Sequence, residues 1–321
     1  MSEKLLEVKG LKAYYRTRGN PVRAVDDVSF YVRHDEIFGI AGESGCGKST
    51  LALAITRLLK PPGYIEGGEV LYNGINLVEL DEEELRRIRW KEISYIPQSS
   101  MNALNPVKNV KDQIADAIKA HEEHVEDEEI DERIEELLTS VGLAPEVARM
   151  YPHELSGGMR QRVIIAMSIA LNPRLIIADE PTTALDVVVQ RGIIQLLEDV
   201  KERLKSSIIL ITHDMAVHAE LVDRLAVMYA GKIVEIGDVK AAFRDPLHPY
   251  AKALIEAIPS IKGRKVLKGL PGFPPDLRNP PPGCRFAPRC SYAMDVCRRV
   301  EPRLIKIGDR YVACHLYGER A

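Results

Sequence analysis

Long apolar runs are missing from this chain of 321 residues. A helix that spans a bilayer needs roughly 18 or more consecutive apolar residues, and no segment approaches that length. The beginning, residues 1–4 (Met-Ser-Glu-Lys), is too polar for a signal peptide. We therefore expect a protein that is made and kept in the cytoplasm and that reaches a membrane only through a partner.

A strong net charge is missing as well. The formal net charge is −3, with an apolar fraction of 45% and a charged fraction of 28%, as in ordinary globular proteins. So small a charge gives no general attraction to nucleic acid or to an anionic membrane, and we expect no nucleic-acid partner. The length is typical of about two domains.

Cysteine is scarce and unevenly distributed. Of the five cysteines, Cys46 lies alone near the beginning, whereas Cys284, Cys290, Cys297 and Cys314 lie in the last stretch of the chain. In a cytosolic protein such a group indicates a metal site more than disulfides. Four thiolates suit either a zinc ion or an iron–sulfur cluster. The spacings of five, six and sixteen intervening residues lack the C-x₂-C pairs common in zinc sites, and free thiols or disulfides stay open as alternatives.

One strong motif is present at residues 42–49, which fit G-x-x-x-x-G-K-[ST] between a strand-like and a helix-forming apolar segment. Glycines at such positions let backbone N–H groups and a helix N-terminus face a phosphate. We expect Lys48 to reach the β- and γ-phosphates and the Ser49 hydroxyl to complete the shell of a Mg²⁺ ion. The predicted nucleoside triphosphate site comprises Gly42, Glu43, Ser44, Gly45, Cys46, Gly47, Lys48, Ser49 and Thr50.

Polar side chains end three further predicted strands: Gln98, the pair Asp179 and Glu180, and His213. Ligands of parallel sheets collect at the carboxyl ends of strands, so we expect these side chains to converge with the phosphate loop on one site. Asp179 would hold Mg²⁺ through its water shell, and Glu180 would orient or deprotonate the attacking water. His213 would meet the γ-phosphate.

A second phosphate-binding helix start is predicted at Ser156, Gly157 and Gly158, which precede an apolar helix from residue 163 to 171. Serine is a preferred N-cap, and a glycine-rich helix start is suited to bind an anion. Because the chain already has one phosphate loop, the second start needs either a different phosphate or the same nucleotide approached from another subunit.

Alternating strands and helices predict an α/β fold with a mostly parallel sheet flanked by helices. Short strands near the beginning predict a small antiparallel sheet beside that core. On one of them, Tyr15 is either a stacking partner for a base or a half-buried strand tyrosine.

Taken in order, these motifs closely resemble those of the ATP-binding subunits of ABC transporters. The resemblance implies an ABC-type phosphate-loop core with antiparallel β and helical subdomains, a nucleotide-binding domain at residues 1–240 and a helical subdomain at about 99–160. The most discriminating motif is Leu-Ser-Gly-Gly-Met at 155–159. The others are the phosphate loop, Gln98, Ile-Ile-Ala-Asp-Glu at 176–180, Ala-Leu-Asp at 184–186 and Thr-His-Asp at 212–214.

The rest of the chain resembles the C-terminal extension of dipeptide and oligopeptide importers, which implies an extension at residues 241–321. The resemblance is carried by residues 245–250 (Asp-Pro-Leu-His-Pro-Tyr), 270–275 and 283–290. Together with residues 183–190 it points to the D-type subunit, an ATPase that powers peptide uptake. In relatives, the same type of ATPase subunit powers the uptake of oligosaccharides or nickel. A non-transport ABC ATPase and an ATP-binding scaffold without hydrolysis stay open as well, the latter opposed by Glu180 and His213.

The resemblance also implies partners and roles. Ser156, Gly157 and Gly158 would bind the ATP held by a second ATPase subunit. That subunit would be F-type or a second copy of this chain. Two membrane permease subunits and an extracytoplasmic binding protein would place the chain at the cytoplasmic face of the membrane. Tyr15 becomes the adenine platform and Gln98 a Mg²⁺ ligand linked to the membrane partner. Residues 99–106 are either the coupling surface or an ordinary loop, and the four clustered cysteines are implied to hold a structural [4Fe–4S] cluster, with zinc as the alternative.

Overall fold

A computed structural model of the chain describes residues 4–98, 103–122, 124–258, 270 and 272–318. Residues 99–102 of the candidate coupling surface and Pro271 of the proline-rich stretch lie outside the described residues. No helix in the described ranges is long and apolar enough to cross a bilayer.

The secondary structure alternates between strands and helices for most of the chain. The strands are β1 (Lys4–Tyr15), β2 (Val22–Arg33), β3 (Ile37–Ala41), β4 (Gly63–Tyr72), β5 (Ile75–Asn76), β6 (Ile93–Ile96), β7 (Leu175–Asp179), β8 (Ser207–Ile211), β9 (Arg224–Tyr229), β10 (Lys232–Asp238), β11 (Ile305–Ile307) and β12 (Arg310–Val312). The helices are α1 (Lys48–Ile55), α2 (Glu82–Ile88), α3 (Val110–Lys119), α4 (Asp127–Ser140), α5 (Gly157–Ile169), α6 (Val187–Leu204), α7 (Met215–Leu221), α8 (Val239–Arg244), α9 (Pro249–Glu256) and α10 (Asp295–Arg299).

The chain divides into two compact units. Unit 1 comprises Met1–Glu79 and Leu210–Ala321, and unit 2 comprises Leu80–Ile209. The nucleotide-binding domain at 1–240, the helical subdomain at about 99–160 and the extension at 241–321 stay predictions.

Unit 1 contains the predicted antiparallel sheet, with the strand order β2-β1-β4-β5. Leu6 of β1 pairs with Tyr72 of β4, and β1 buries apolar side chains on both of its faces, since the neighbours Leu5 and Leu6 are both buried. The rings of Phe30 in β2 and Phe38 in β3 stack with centroids 5.1 Å apart. This contact packs the antiparallel sheet against the strand that leads into the phosphate loop.

The other strands of unit 1 form a mixed arrangement in the order β11-β12-β10-β9-β3. β3 and β9 are parallel, whereas β9, β10, β12 and β11 are antiparallel neighbours. Every residue of β3 is buried, as expected for a strand covered on both faces. The α/β prediction is confirmed, but in this unit the expectation of a mostly parallel sheet holds only for β3 and β9.

Unit 2 is largely helical and contains the parallel pair β6 and β7. β7 is buried along its whole length. Three of its helices begin at side-chain caps that the sequence provides: Asp81 caps α2, Asn109 caps α3 and Asp186 caps α6. Such caps satisfy N–H groups that have no partner inside a helix, and they explain where these helices begin.

Candidate nucleotide site and cysteine site

The predicted site residues fall into two groups, one in each unit. In unit 1, the buried strand β3 ends at Ala41, the phosphate loop follows, and α1 begins at Lys48. Gly47 is the N-cap of α1 with a φ of 109°, a left-handed conformation that favours glycine. A Cβ atom at Gly47 would overlap the carbonyl oxygen of Ala24. The loop therefore needs glycine here for both its conformation and its close packing.

Lys48 is buried at the start of α1, with 6% of its surface exposed. Its Nζ donates to the carbonyl oxygens of Gly42 at 2.7 Å and of Glu43 at 3.1 Å. N-cap Gly47 has no side chain to occupy the N–H groups of the first turn, which can bind an anion. The loop thus places a cation and a helix start together.

Of the other residues predicted for this site, Tyr15, Cys46 and Thr50 lie at the same helix start, and His213 of unit 1 follows a different strand. The Tyr15 hydroxyl lies 3.1 Å from the Thr50 Oγ1 atom, so this half-buried tyrosine flanks the first turn of α1. Cys46 is buried inside the loop, and burial raises the pKa of its thiol. His213 lies in the exposed turn between β8 and α7.

The phosphate loop is also held by residues that the sequence reasoning missed. The Glu43 backbone N–H donates to the Tyr250 hydroxyl at 2.8 Å. The Glu43 carboxylate accepts two hydrogen bonds from the Arg289 guanidinium, at 2.7 and 2.9 Å. These bonds raise the pKa of Arg289 above its usual range. The partners are 207 and 246 residues away from Glu43 along the chain, and no local pattern announces them.

In unit 2, the predicted carboxylates lie at the end of β7. Asp179 is 1% exposed, and its Oδ2 accepts a hydrogen bond from the Tyr95 hydroxyl at 3.1 Å. Glu180 is 7% exposed, and its Oε2 accepts from the Thr183 hydroxyl at 2.8 Å. Glu180 has a φ of 51°, and a non-glycine residue held in this left-handed region commonly marks a functional site.

Gln98 lies in an exposed turn just after β6. Because β6 and β7 are parallel neighbours, Gln98 follows its strand at the same edge as Asp179 and Glu180. The fold of unit 2 therefore gathers three of the predicted polar residues at one edge. The fold of unit 1 brings Tyr15 to Thr50, at the end of the phosphate loop.

The second predicted helix start is at the beginning of α5. Ser156 is the N-cap, as predicted, and its Oγ accepts a hydrogen bond from the Met159 N–H at 3.3 Å. Gly157 and Gly158 are the first helical residues and are half-buried. The helix runs from Gly157 to Ile169, so the apolar segment predicted from residue 163 is its later part.

The four clustered cysteines lie around one cavity of unit 1, and all are free thiols rather than disulfides. His315 lines the same cavity. Burial raises the pKa of Cys284 to about 11, and it raises the pKa of Cys290 and Cys314 as well. Within the described part of the chain, no three His, Cys, Asp or Glu side chains are close enough together to hold a metal ion as they stand. The thiols are thus gathered at one place but not at the spacing of ligands around one ion.

Known families match both parts of the chain. The family described as "ABC transporter" matches residues 25–183, which include the phosphate loop and the end of β7. The family described as "Oligopeptide/dipeptide transporter, C-terminal region" matches residues 234–297, which include Tyr250 and Arg289. The chain is 45% identical to "Dipeptide transport ATP-binding protein DppD" of Caldanaerobacter subterraneus subsp. tengcongensis, over 98% of both chains. It belongs to the ATP-binding proteins of ABC transporters.

Other relatives of this ABC protein agree. It is 47% identical to "Oligopeptide transport ATP-binding protein OppD" of Bacillus subtilis, over 96% of this chain and 87% of that protein. Among solved structures, it is similar to the ATP-binding cassette MJ0796, described as the dimeric post-hydrolysis state bound to ADP and Pi. That match has a TM-score of 0.66 and 30% identity, and it covers 73% of this chain and 98% of the other. The fold is that of an ABC ATPase, and ATP hydrolysis is the general activity of these subunits.

Proposed function

We propose that this chain is the ATP-hydrolysing subunit of an ABC importer for dipeptides or oligopeptides. The observation that carries the proposal is the full-length similarity to ATP-binding proteins named for dipeptide and oligopeptide transport, which includes the C-terminal extension. Reconstitution with its permease subunits and a binding protein tests it. Peptide-loaded binding protein should stimulate ATP hydrolysis, and stimulation by nickel or an oligosaccharide instead would reassign the cargo.

The phosphate loop supplies the binding energy for the triphosphate. Lys48 Nζ, which donates to two loop carbonyls, would exchange these acceptors for β- and γ-phosphate oxygens. Tyr15, whose hydroxyl lies beside Thr50, is assigned to the adenine, and His213 to the γ-phosphate. Ser49, Gln98 and Asp179 carry the oxygen ligands that Mg²⁺ prefers, and the ion would neutralise phosphate charge.

Glu180 acts as the base that takes a proton from the attacking water. Its hydrogen bond from Thr183 and its left-handed backbone restrict where the carboxylate points. Glu180→Gln keeps the shape but cannot accept the proton, so we expect ATP turnover to fall by about 100-fold or more, with the Kd for ATP unchanged. Phosphate release and equilibrium nucleotide binding measure the two effects. Glu198→Gln on the exposed face of α6 is the matched control. Turnover close to that of the unmodified protein would refute the assignment.

Ser156, Gly157 and Gly158 bind the ATP held by a second ATPase subunit. In support, this helix start is at least partly exposed, and Val187 and Val188 at the beginning of α6 are 79% and 82% exposed. The similar MJ0796 cassette is described as a dimer. The second subunit is F-type or another copy of this chain.

We further assign two permease subunits and an extracytoplasmic binding protein as partners, and the cytoplasmic face of the membrane as the location. Gln98 and the loop after it are the proposed link to the permease. We expect the tagged chain to co-purify with both permeases from the membrane fraction. Disrupting that loop should release the chain from the permeases.

Cys284, Cys290, Cys297 and Cys314 are proposed to hold a structural [4Fe–4S] cluster. The four thiols surround one cavity, and a four-iron cluster separates its thiolate ligands more widely than a single zinc ion does. The raised pKa values mean that cluster binding must displace protons from the thiols.

Anaerobic purification followed by visible spectroscopy and by iron and zinc analysis tests the cluster. Iron should be lost in Cys290→Ser and retained in the control Cys46→Ser, because Cys46 lies in the phosphate loop. A colourless protein with stoichiometric zinc would establish zinc as the bound metal instead.

A further inference from the structure

We propose that a cleft in unit 1 is a binding site for a small organic carboxylate with an apolar or aromatic body. The cleft has a volume of about 530 Å³, within the range of sites for small molecules. Its walls come from β1 and β2, from β9 and β10, and from the C-terminal segment around residues 284–286 and 301–313. No residue of the phosphate loop lines it.

The walls of the cleft are rich in aromatic side chains. Phe30 and Tyr31 come from β2, Tyr229 from β9, Phe286 from the segment after Cys284, and Tyr311 from β12. Aromatic rings provide a large apolar contact area and prefer offset or edge-on packing with other rings. These walls suit an apolar or aromatic group.

One buried arginine of the cleft favours an anion. Arg285 is 5% exposed and lines the cleft; its Nη1 donates to the Ala230 carbonyl oxygen and its Nη2 to Asp26. Its Nε–H is buried without an acceptor anywhere in the described residues. A buried donor of this kind is costly to leave unsatisfied. Because the Nε–H is itself buried, a ligand oxygen would satisfy it after a small shift of the Arg285 side chain toward the cleft.

The charges around the cleft are balanced. Six lysine and arginine residues line the cleft, against three acidic residues. Three acidic partners of these cations lie outside the lining, and counting them makes the two signs equal: Asp26, Glu36 and Glu69. Arg303 is exposed at the cleft and adds a guanidinium to those of Arg285 and Arg224. A guanidinium forms strong, often paired hydrogen bonds with a carboxylate, so a cleft without an excess of positive charge suits a singly charged carboxylate better than a phosphate dianion.

The same walls lead to the phosphate loop. The Tyr229 ring packs on the rings of Tyr250 and Phe286, with centroids 4.5 and 5.2 Å away. The Tyr229 hydroxyl accepts a hydrogen bond from Arg289 at 3.3 Å. Tyr250 and Arg289 are the residues that hold Glu43. A ligand that packs against Tyr229 and Phe286 therefore acts on the residues that support the loop, and we infer that ligand and nucleotide change each other's affinity.

The test uses the full-length protein with three probes in isothermal titration. N-acetylphenylalanine and the dipeptide Ala-Phe carry a carboxylate, whereas N-acetylphenylalaninamide is neutral. We expect both carboxylates to bind with a Kd of about 1 mM or below, and the amide at least about tenfold more weakly. A preference for the dipeptide would point to imported product as the natural ligand, and a preference for the acetylated amino acid to another carboxylate. The proposed carboxylate site does not depend on which cargo the importer carries.

Variants locate the binding. Ala313→Leu places a larger side chain at the lining and should abolish binding, while Arg285→Lys keeps a cation beside Asp26 but removes the Nε–H and should weaken binding at least about tenfold. Lys306→Gln, exposed on β11 and outside the lining, is the control and should bind as the unmodified protein does. Thermal unfolding of each variant without ligand verifies that it is folded.

Three results would overturn the site: no binding of either carboxylate up to about 10 mM, equal binding of the neutral amide, or unchanged binding to a folded Ala313→Leu variant. The coupling is tested separately, by titrating ATP with and without saturating ligand. We expect about a fivefold change in the Kd for ATP. An unchanged Kd for ATP would overturn the coupling.

Discussion

The two phosphate-binding helix starts of this protein, α1 and α5, are built in different ways. At α1, the N-cap Gly47 is left-handed, and the backbone of Ala24 leaves no room for a side chain. At α5, the N-cap Ser156 has an extended backbone, and its own hydroxyl accepts the Met159 N–H. The first start is capped by a glycine that distant backbone packs against, whereas the second is capped by its own serine side chain, with Val189 of α6 packed close to Gly158.

This difference explains how one chain can carry two such starts. The N–H groups of α1 lie beside the buried Lys48, so this start is ready to bind a phosphate by itself. At α5 the Ser156 hydroxyl already accepts a hydrogen bond from the Met159 N–H. A phosphate must therefore bind this N–H group more strongly than the serine does in order to replace it. A start of this kind suits a ligand that another subunit delivers.

The largest expected effect comes from Gly47→Ala. The new Cβ would overlap the Ala24 carbonyl oxygen, and alanine would be strained in the left-handed backbone of this position, so we expect nucleotide binding to be lost. Gly45→Ala is the matched control, since Gly45 also has a positive φ but nothing lies within 4 Å of its Cβ position. It should cost only the backbone strain of about 1 kcal/mol and still bind ATP. Equal binding by both variants would show that the packing around α1 is not decisive.

Ser156→Arg is expected to act on the other helix start alone. The bulky side chain should block the approach of a second subunit's ATP, so ATP-driven dimerisation is lost while ATP binding by α1 is retained. Size-exclusion chromatography with light scattering, in the Glu180→Gln background, measures dimerisation. Ser156→Thr keeps a capping hydroxyl and is the control. A Ser156→Arg protein that still dimerises with ATP would contradict the role proposed for α5.

Arg289→Gln tests the support that the phosphate loop before α1 receives from a distant part of unit 1. Loss of the paired hydrogen bonds frees the Glu43 carboxylate beside the loop, and we expect the Kd for ATP to rise about tenfold, or about 1.4 kcal/mol, with little change in kcat. Arg278→Gln removes a comparable pair with Asp276 at the surface and serves as the control. If both variants bind ATP equally well, the contact with Arg289 has no role in binding.

The smallest expected effect concerns His248, which caps the helix that carries Tyr250. The His248 Nδ1 accepts the Tyr250 N–H at 3.0 Å, and burial lowers the pKa of His248 to about 3. Since an unfolded histidine has a pKa near 6.5, the unfolded state binds the additional proton between these values, and stability falls as the pH falls. The nearby buried Glu235, whose pKa is raised by burial, acts in the opposite sense.

From pH 7 to pH 6, His248 should therefore cost about 0.7 kcal/mol of unfolding free energy. His248→Asn retains an acceptor and should remove this dependence. Denaturant unfolding of both proteins at the two pH values is the measurement. An identical pH dependence would mean that His248 is charged in the folded protein.

Several features could be predicted because their causes are local. The motif at 42–49 predicts the strand, loop and helix that the fold contains, and the serine before two glycines predicts a helix cap. The apolar segment from residue 163 indicates only the later part of α5, because apolar content is a weaker signal for a helix start than its cap. The clustering of four cysteines predicted that they share a site, and they line one cavity.

By itself, the sequence determined that this chain binds a nucleoside triphosphate and carries a second helix start suited to a phosphate. Spacing along the chain is sufficient for this, since each motif is built from consecutive residues. Only the tertiary structure decided that Glu43 is held by Tyr250 and Arg289, and that Arg285 lines a cleft with an unsatisfied N–H. The physical reason is that Tyr250 and Arg289 lie more than 200 residues from Glu43 along the chain, and local sequence does not indicate such contacts. Local sequence also does not show which buried donor is left without an acceptor.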